Sequence, residues 1–304
     1  MSDTQSQYQR LLDPNTTFAA LCNSCQIDPR IRKGIARQGF IRPTLVQSQS
    51  LPLAIQNGRD LLVRARTGSG KTLSYVLPIL QKVLSGKDNQ DKEEQNDDEF
   101  DASLDFVKAV ILVPTRELCH QVYNAVQSLC FYCEDVIGTA ILSSSKKKIH
   151  QNSNDNNEHL QIATQEAMLR DRPDIIVSTP AGLVHHLQKQ TLRLKYSVQT
   201  FVVDEADLVL SFGYSSDIHE IVKALPKICQ GFLLSATLSE ELDALKKIVL
   251  HSPAILKLEE EEDGRSNAKD GSLMQFYLKL PKKDKFLVIY VFLKVNYIAC
   301  IKTT

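Results

Sequence analysis

The chain has 304 residues, of which 43% are hydrophobic and 24% charged, and Lys plus Arg equal Asp plus Glu at 36 each. This composition is typical of a globular protein of roughly two domains, and it gives no global positive field that would indicate nucleic acid, although a local groove can still be basic. MSDTQSQYQR at the start contains no apolar signal core, and the longest apolar run, Phe286 to Leu293, is too short to span a bilayer. We therefore expect an intracellular protein with free thiols and no membrane partner.

Short apolar runs typical of strands alternate with helix-like stretches along the chain. Strands are predicted at 61–65, 108–113, 136–142, 174–179, 200–207 and 231–237, and helices at 72–84, 116–131, 182–189, 215–225 and 240–250. Strand and helix alternating in this way predict an α/β fold with a doubly wound, mainly parallel sheet. Polar insertions are predicted at 85–105 and 143–159, and an acidic linker at 259–272.

The segment LLVRARTGSGKT joins the first predicted strand to the first predicted helix. Gly68 and Gly70 allow a tight turn whose backbone N–H groups, with the start of the helix, can hold phosphate. Lys71 would reach the β- and γ-phosphates of a nucleotide, and the Thr72 hydroxyl would ligate Mg²⁺. Ala65 stands where the general pattern has Gly. We predict a phosphate site, with an ordinary glycine-rich turn as the alternative.

Five polar motifs follow predicted strands directly: ARTGSGKT, PTREL (114–118), STPAG (178–182), DEAD (204–207) and SAT (235–237). In open α/β sheets, ligands bind beyond the carboxyl ends of the strands, so this edge is the predicted active site. Asp204 would hold Mg²⁺ through water, and Glu205 would orient or deprotonate the water that attacks the γ-phosphate. The alternative is an acidic helix N-terminus.

Upstream lies GFIRPTLVQ, residues 39–47. Because a side-chain amide can pair with N6 and N7 of adenine, Gln47 could select ATP, with Phe18 stacked on the ring. Alternatively, Pro43 and Thr44 begin a helix and Gln47 completes a capping box. The residues alone leave both interpretations open.

Two C-x-x-C pairs, Cys22/Cys25 and Cys130/Cys133, could suggest a zinc site. The two pairs lie about a hundred residues apart, whereas zinc ribbons place theirs roughly 15–20 apart. Cysteine is also a common small buried residue on helix faces. We therefore expect no zinc.

Six motifs occur in the order found in the DEAD-box RNA helicases: GFIRPTLVQ, ARTGSGKT, PTREL, TPAG, DEAD and SAT. Residues 18–258 resemble the first RecA-like domain of that family. DEADLVLSFGY and KKDKFLVIYVFLK are most similar to its nucleolar branch, which acts in large-ribosomal-subunit assembly. The resemblance implies an RNA-stimulated ATPase that uses ATP and Mg²⁺ and binds the RNA backbone without sequence preference. It also implies action in the nucleus, in the nucleolus, on pre-ribosomal particles, with no DNA-specific role.

The resemblance also assigns roles to residues at matching positions. Nucleotide binding falls to Phe18, Gln47, Ala65, Arg66, Thr67, Gly68, Ser69, Gly70, Lys71 and Thr72; Mg²⁺ to Thr72 and Asp204; and catalysis to Lys71, Asp204 and Glu205. Coupling of hydrolysis to strand separation falls to Asp207, Ser235, Ala236 and Thr237, and RNA contact to Pro114, Thr115, Arg116, Thr179 and Pro180.

The chain departs from the family pattern at its RNA motifs. Thr-Pro-Gly-Arg of the family is here Thr-Pro-Ala-Gly, so that Gly182 stands at the arginine position, and the family's Gly-Gly pair is matched only by Gly138-Thr139. We expect a weaker grip on RNA than in relatives. Spacing from Phe18 to Phe40 is also a few residues longer than usual in the family.

The domain organisation that the resemblance implies is as follows: 1–17 a polar N-terminal tail, 18–47 an adenine-recognition region, 48–258 an ATP-binding RecA-like domain, 259–272 a linker and 273–304 the start of a second RecA-like domain. Helicases of this family need two such domains. We expect this chain to be truncated, with a strand-like run at 273–280 and an apolar helix at 283–294 as a loosely attached tail. By itself, this chain is expected to bind nucleotide, to hydrolyse little ATP, to unwind no RNA duplex and to self-associate. The alternative function is that of a non-catalytic fragment that binds ATP or RNA.

Overall fold

Apolar runs of four to six residues form the strands of a single sheet, as predicted. The computed structural model describes residues 11–90, 106–144, 156–237, 240–258 and 278–301. The strands are β1 Leu61–Arg64, β2 Ala109–Leu112, β3 Thr139–Leu142, β4 Ile175–Ser178, β5 Thr200–Val203, β6 Gln230–Ser235 and β7 Ala254–Lys257. Their order is β3-β4-β2-β5-β6-β1-β7, and every pairing is parallel. The α/β, doubly wound fold class is confirmed, and β7 is an addition that the sequence pattern did not predict.

Helices lie between most successive strands. They are α1 Phe18–Ser24, α2 Pro29–Arg37, α3 Leu45–Ile55, α4 Lys71–Gln90, α5 Arg116–Cys130, α6 Asn156–Arg170, α7 Pro180–Gln188, α8 Ala206–Ser211, α9 Ser215–Ala224 and α10 Glu240–Val249. Helix α11, Lys285–Ile301, follows a short 3₁₀ turn at Lys282–Asp284. The predicted helices are all present, most of them within a few residues of their predicted ends, but α4 and α11 extend further, to Gln90 and Ile301.

Two hydrophobic cores sandwich the sheet, and the strands contribute alternate side chains to both, except β7, which packs only against the first core and whose Ile255 is 47% exposed. In β1, Leu61 and Val63 pack into the first core, with residues of α1–α5, while Leu62 packs into the second, with residues of α6–α10. Because parallel strands covered by helices on both faces are buried on both faces, their sequences are continuous apolar runs rather than alternating ones. This is why the strands could be recognised from the sequence.

Two predicted insertion boundaries are wrong. Helix α4 continues to Gln90, so the first six residues of the 85–105 insertion belong to this helix. Near its end, Lys87 pairs with Asp174 at 2.8 Å, a contact between distant segments that the local sequence does not reveal. Helix α6 likewise begins at Asn156, inside the insertion predicted at 143–159. Residues 91–105 and 145–155 lie outside the described part of the chain.

The residues before the phosphate loop belong to the same unit as the sheet. The chain divides into two compact units, Met1–Glu261 and Glu262–Thr304. In the first unit, Leu12 forms an isolated antiparallel bridge with Thr44, and helices α1–α3 pack into the first core. Residues 11–17 of the predicted polar tail therefore contact the adenine-recognition region.

The second unit is described over residues 278–301 and consists of the 3₁₀ turn and α11. Its apolar helix was predicted, but residues 278–280 form no strand, and the rest of the predicted 273–280 run lies outside the described residues. The side chain of Phe286 is 85% exposed, and most of the apolar side chains from Leu287 to Leu293 are more than half exposed. Among the helices that the structure describes, none is long and apolar enough to cross a membrane.

Candidate active site

Strand order brings the predicted motifs together in two groups at the carboxyl edge of the sheet. Strands β5, β6 and β1 are neighbours, and they end at DEAD, SAT and the phosphate loop, respectively. Strands β3, β4 and β2 are also neighbours, and they end at Ser143-Ser144, TPAG and PTREL. The edge therefore has one half suited to a nucleotide and one half that carries the predicted RNA motifs.

The phosphate loop has the backbone conformation that its sequence predicts. Gly68 and Gly70 have φ values of 81° and 86°, a left-handed conformation that favours glycine. A Cβ atom at Gly70 would lie 2.5 Å from Nε2 of Gln47, so this position needs glycine for a second reason, close packing against α3. Ser69 is buried, and its Oγ has no hydrogen-bond partner among the described residues. A loop with an unsatisfied buried hydroxyl fits a phosphate ligand.

Lys71, the first residue of α4, is only 5% exposed and makes an ion pair with Glu205, with 3.1 Å between Nζ and Oε1. The two residues are 134 positions apart in sequence and meet only because β1 and β5 both flank β6. Glu205 has a left-handed backbone, with φ of 48°, between the end of β5 and the start of α8. Such strain in a residue other than glycine is often found at functional sites.

Asp204 lies at the end of β5 with both carboxylate oxygens engaged. Its Oδ1 accepts the backbone N–H of Glu205 at 2.9 Å, and its Oδ2 accepts the hydroxyl of Tyr75 at 2.8 Å. Burial raises the pKa of Asp204 to about 6, although the Tyr75 hydrogen bond acts in the opposite direction. Sequence analysis missed Tyr75. Its position one helical turn after Lys71 and Thr72 was the available signal, because residues i, i+3 and i+4 share a helix face.

SAT is connected to both DEAD and the phosphate loop. Thr237 donates its hydroxyl to Oδ2 of Asp207 at 2.9 Å, and Ser235 donates its hydroxyl to the Thr237 carbonyl at 2.9 Å. The backbone N–H of Ala65 donates to the Ser235 carbonyl at 3.2 Å, while Ala236 is half-buried between these groups. The predicted coupling residues therefore form a continuous hydrogen-bonded path between the three strand ends.

Gln47 completes the capping box that sequence analysis offered as one of two interpretations. Its Oε1 accepts the Thr44 N–H at 2.8 Å, and the Thr44 hydroxyl accepts the Gln47 N–H at 3.4 Å. Nε2 of Gln47 also donates to the Gly70 carbonyl in the phosphate loop at 3.1 Å. The amide thus links α3 to this loop. Its carbonyl oxygen can still accept one more hydrogen bond, and its amino group can still donate one more.

The structure places Phe18 away from an open surface. Phe18 is 3% exposed and belongs to the first core, so in this conformation its ring cannot stack on adenine. Phe40, whose ring centroid lies 6.1 Å from that of Phe18, is 40% exposed. The spacing from Phe18 to Phe40, a few residues longer than usual in the family, is the sequence feature that accompanies this difference.

Of the predicted RNA residues, Arg116 alone is clearly exposed. Thr115 caps α5 by accepting the Leu118 N–H at 3.3 Å and is half-buried, and Pro114 is buried behind it. Exposed Arg66 and Thr67 stand on the phosphate loop at the same edge. The PTREL segment therefore presents one cation and one partly accessible hydroxyl.

Thr179 and Pro180 are buried, contrary to the prediction that they touch RNA directly. The Thr179 hydroxyl accepts N–H groups from Ser144 at 3.2 Å and from Gly182 at 3.3 Å, and it donates to the Ser144 carbonyl at 3.0 Å. Its hydrogen-bonding capacity is used within the fold, so Thr179 positions the loop after β3 and the start of α7.

Gly182, at the family's arginine position, packs directly on the backbone after β3. A Cβ atom here would overlap the Leu142 carbonyl and lie 3.0 Å from the Ser144 nitrogen. Gly138 and Thr139, which were matched to the family's Gly-Gly pair, stand at the amino end of β3, where Gly138 N–H donates to Asp174, and not at the edge that carries the other motifs. Ser143-Ser144 occupies the carboxyl end instead, a position that only the sheet register reveals.

The residues present fit a nucleotide with Mg²⁺ better than a protein-bound metal. Within the described residues, no group of three or more His, Cys, Asp and Glu is arranged to hold a metal ion. Mg²⁺ in nucleotide sites is held by one or two protein ligands, phosphates and water, which is what Thr72 and Asp204 could supply. All four cysteines of the C-x-x-C pairs are buried in the first core. Burial raises the pKa of Cys22 to about 11, as expected for a small apolar packing residue.

Together, the parallel sheet and the site at its carboxyl edge define a RecA-like P-loop domain. A family profile described as DEAD/DEAH box helicase matches residues 44–245. The chain belongs to this family, as the motifs indicated.

Curated relatives support the same membership. The chain is 42% identical over 286 residues to the probable ATP-dependent RNA helicase ddx56 of Dictyostelium discoideum, covering 94% of this chain and 36% of the relative. It is 40% identical over 290 residues to the ATP-dependent RNA helicase DBP9 of Saccharomyces cerevisiae (strain YJM789), covering 94% and 44%, respectively. The chain therefore spans about two fifths of the length of these curated relatives.

Solved structures share the fold. A DEAD box protein from the hyperthermophile Methanococcus jannaschii matches 77% of this chain and 54% of its own, with 29% identity and a TM-score of 0.60. Saccharomyces cerevisiae Dbp5 bound to RNA and ADP BeF3 matches 78% of this chain and 52% of its own, with 23% identity and a TM-score of 0.58.

Proposed function

We propose that this chain is the ATP- and RNA-binding part of an ATP-dependent RNA helicase. The observation that carries the proposal is the meeting of Lys71 with Glu205, 3.1 Å apart, beside the buried carboxylate of Asp204. Phosphoryl transfer to water needs a cation for the phosphates, a carboxylate for Mg²⁺ and a group that orients the water. One site supplies all three. That the curated relatives are named ATP-dependent RNA helicases supports the same function.

The geometry indicates how nucleotide binding would change the site. The N–H groups of the phosphate loop hold the phosphates, and Lys71 exchanges its ion pair with Glu205 for the β- and γ-phosphates. Glu205 is then free to accept a proton from the attacking water. Bound Mg²⁺, near Thr72 and Asp204, would offset the negative charge of the phosphates. The Asp207–Thr237 hydrogen bond links these events to the end of β6.

RNA would lie across the ends of β2, β4 and β3. Arg116 supplies a phosphate contact, while Thr179 acts indirectly by fixing Ser144. We also propose action on pre-ribosomal particles in the nucleolus, a proposal supported by the similarity of DEADLVLSFGY to that branch of the family.

Replacing Gln47 by glutamate is expected to weaken ATP binding. Glutamate keeps the acceptor for the Thr44 N–H but lacks the donor that would reach N7 of adenine and that now contacts Gly70. Because a bidentate amide–adenine pair discriminates by about 1–3 kcal/mol, we expect roughly a 10-fold or larger loss. Titrations with fluorescent ATP and GTP in the presence of Mg²⁺ measure the two affinities. Thermal unfolding of the variant checks that the capping box is intact. Equal affinity of the wild type for GTP and ATP would show that Gln47 does not read adenine.

Replacing Arg116 by alanine is expected to weaken binding of every single-stranded RNA to a similar degree. A phosphate contact carries no sequence information, so the slope of log affinity against log salt should fall in magnitude by about 1. Fluorescence anisotropy with several unrelated oligonucleotides measures this. Lys195→Ala is the matched control, because Lys195 is an exposed cation in the loop that leads into the amino end of β5. A strong preference of the wild type for one short sequence would contradict the proposed backbone readout.

A further inference from the structure

Tyr75 is a buried polar residue that none of the predicted roles uses. It lies in α4, one turn beyond Lys71 and Thr72, and its side chain is 0% exposed. Its hydroxyl donates to Oδ2 of Asp204 at 2.8 Å, across 129 positions of sequence. Phenylalanine would fill the same space in the first core, so packing alone does not explain the hydroxyl.

The hydroxyl completes the hydrogen bonding of Asp204. Oδ1 is held by the Glu205 N–H on the carboxylate's own strand-to-helix turn, and Oδ2 is held by Tyr75 from the helix that begins with Lys71. A carboxylate with a fixed donor on each oxygen cannot rotate freely about its terminal torsion. Its remaining lone pairs then keep a constant direction at the end of β5.

Hydrogen-bond donors of this kind orient carboxylates that bind metal ions. Partners behind a ligating carboxylate fix its direction, and their loss typically costs about 10- to 100-fold in metal affinity. Here the donor comes from the helix that also carries Thr72, the other residue assigned to Mg²⁺. Tyr75 therefore connects the two protein groups that would face the same cation.

We propose that Tyr75 is a positioning residue for Asp204, and that its hydroxyl holds the carboxylate in the direction required by the Mg²⁺ that accompanies ATP. This inference rests on the proposed function, since it presupposes a nucleotide–Mg²⁺ site. Tyr75 does not touch nucleotide or metal. Its effect is transmitted through Asp204, and its hydrogen bond links α4 to the end of β5 at the place where the cation would bind.

Tyr75→Phe tests the proposal because it removes one oxygen atom and retains the ring. The measurement is binding of a fluorescent ATP analogue at increasing Mg²⁺, from EDTA to saturation, with thermal unfolding recorded for each variant. We expect the half-saturating Mg²⁺ concentration to rise about 10-fold or more, with little change in affinity in EDTA. Tyr214→Phe, the same change at a buried tyrosine beside α9, should leave the Mg²⁺ requirement at its wild-type value.

Asp204→Asn provides a second variant that separates positioning from packing. If Tyr75 acts through Asp204, adding Tyr75→Phe to Asp204→Asn should raise the Mg²⁺ requirement no further. A Tyr75→Phe protein with the wild-type Mg²⁺ requirement would overturn the positioning role while leaving the proposed function intact. A wild-type chain that binds no nucleotide at any Mg²⁺ concentration would overturn both.

Discussion

Replacing Lys71 by alanine is expected to abolish measurable binding of ATP with Mg²⁺. Nζ of Lys71 is the buried cation of the phosphate loop, and without nucleotide its ion-pair partner is Glu205, 3.1 Å away. Charge-assisted hydrogen bonds contribute about 1.5–3 kcal/mol each, so loss of contacts to two phosphates should weaken binding by roughly 100-fold or more. Isothermal titration calorimetry with ATP and Mg²⁺ measures the effect.

Lys82→Ala is the matched control for this experiment. Lys82 lies on the same helix about 16 Å further along, and its Nζ donates to Oε1 of Gln230 at 2.7 Å. The Lys82→Ala substitution removes the same charge from α4, but far from the phosphate loop. If only a charge that contacts the phosphates matters, the variant should keep an ATP affinity within about twofold of the wild type. Retention of wild-type ATP affinity by Lys71→Ala would contradict the assignment of this loop to phosphate.

Restoring the family's arginine at position 182 is expected to destabilise the protein rather than improve RNA binding. Any side chain at Gly182 would overlap the Leu142 carbonyl, a backbone atom that cannot move without displacing the end of β3. Overpacking of this kind costs about 1–3 kcal/mol, and sometimes more. Urea unfolding should therefore show a lower midpoint for Gly182→Arg, and RNA anisotropy should show no gain in affinity.

Gly86→Arg makes the same substitution where the structure has room. Gly86 lies in α4, and a Cβ atom added there meets nothing within 4 Å. Because glycine is about 0.8–1.0 kcal/mol less favourable than alanine inside a helix, this control should be neutral or stabilising. A Gly182→Arg protein of wild-type stability that bound RNA more tightly would show that the loop after β3 yields to the arginine. The weaker RNA grip expected from the sequence would then be explained by the missing arginine itself.

Much of the nucleotide half of the site could be predicted because its chemistry is local. The turn from Gly68 to Thr72 depends on glycines at left-handed positions and on a helix that begins directly after them, and both features are contiguous in sequence. The Thr44–Gln47 capping box was also readable, since its partners are three residues apart. The capping interpretation of Gln47 is confirmed, while its adenine-reading role stays a prediction.

The RNA half was predicted less well because burial there depends on distant segments. The family resemblance assigned Thr179 to RNA contact, but the backbone of Ser144 occupies its hydroxyl. Phe18 was assigned to adenine, yet the packing of α1 places its ring in the core. The exposure of a side chain is a property of everything that packs against it, and short motifs carry no such information.

By itself, the sequence determined the α/β class, the phosphate loop and the family, because strand runs, glycine positions and motif order are encoded in neighbouring residues. Only the tertiary structure decided the strand order, which places DEAD, SAT and the phosphate loop side by side and joins Lys71 to Glu205. It also decided the partners of Tyr75 and Gly182, since each meets a segment 129 or about 40 residues away in sequence. The physical reason is that register and strand order are fixed by long-range packing across both faces of the sheet, which no local pattern specifies.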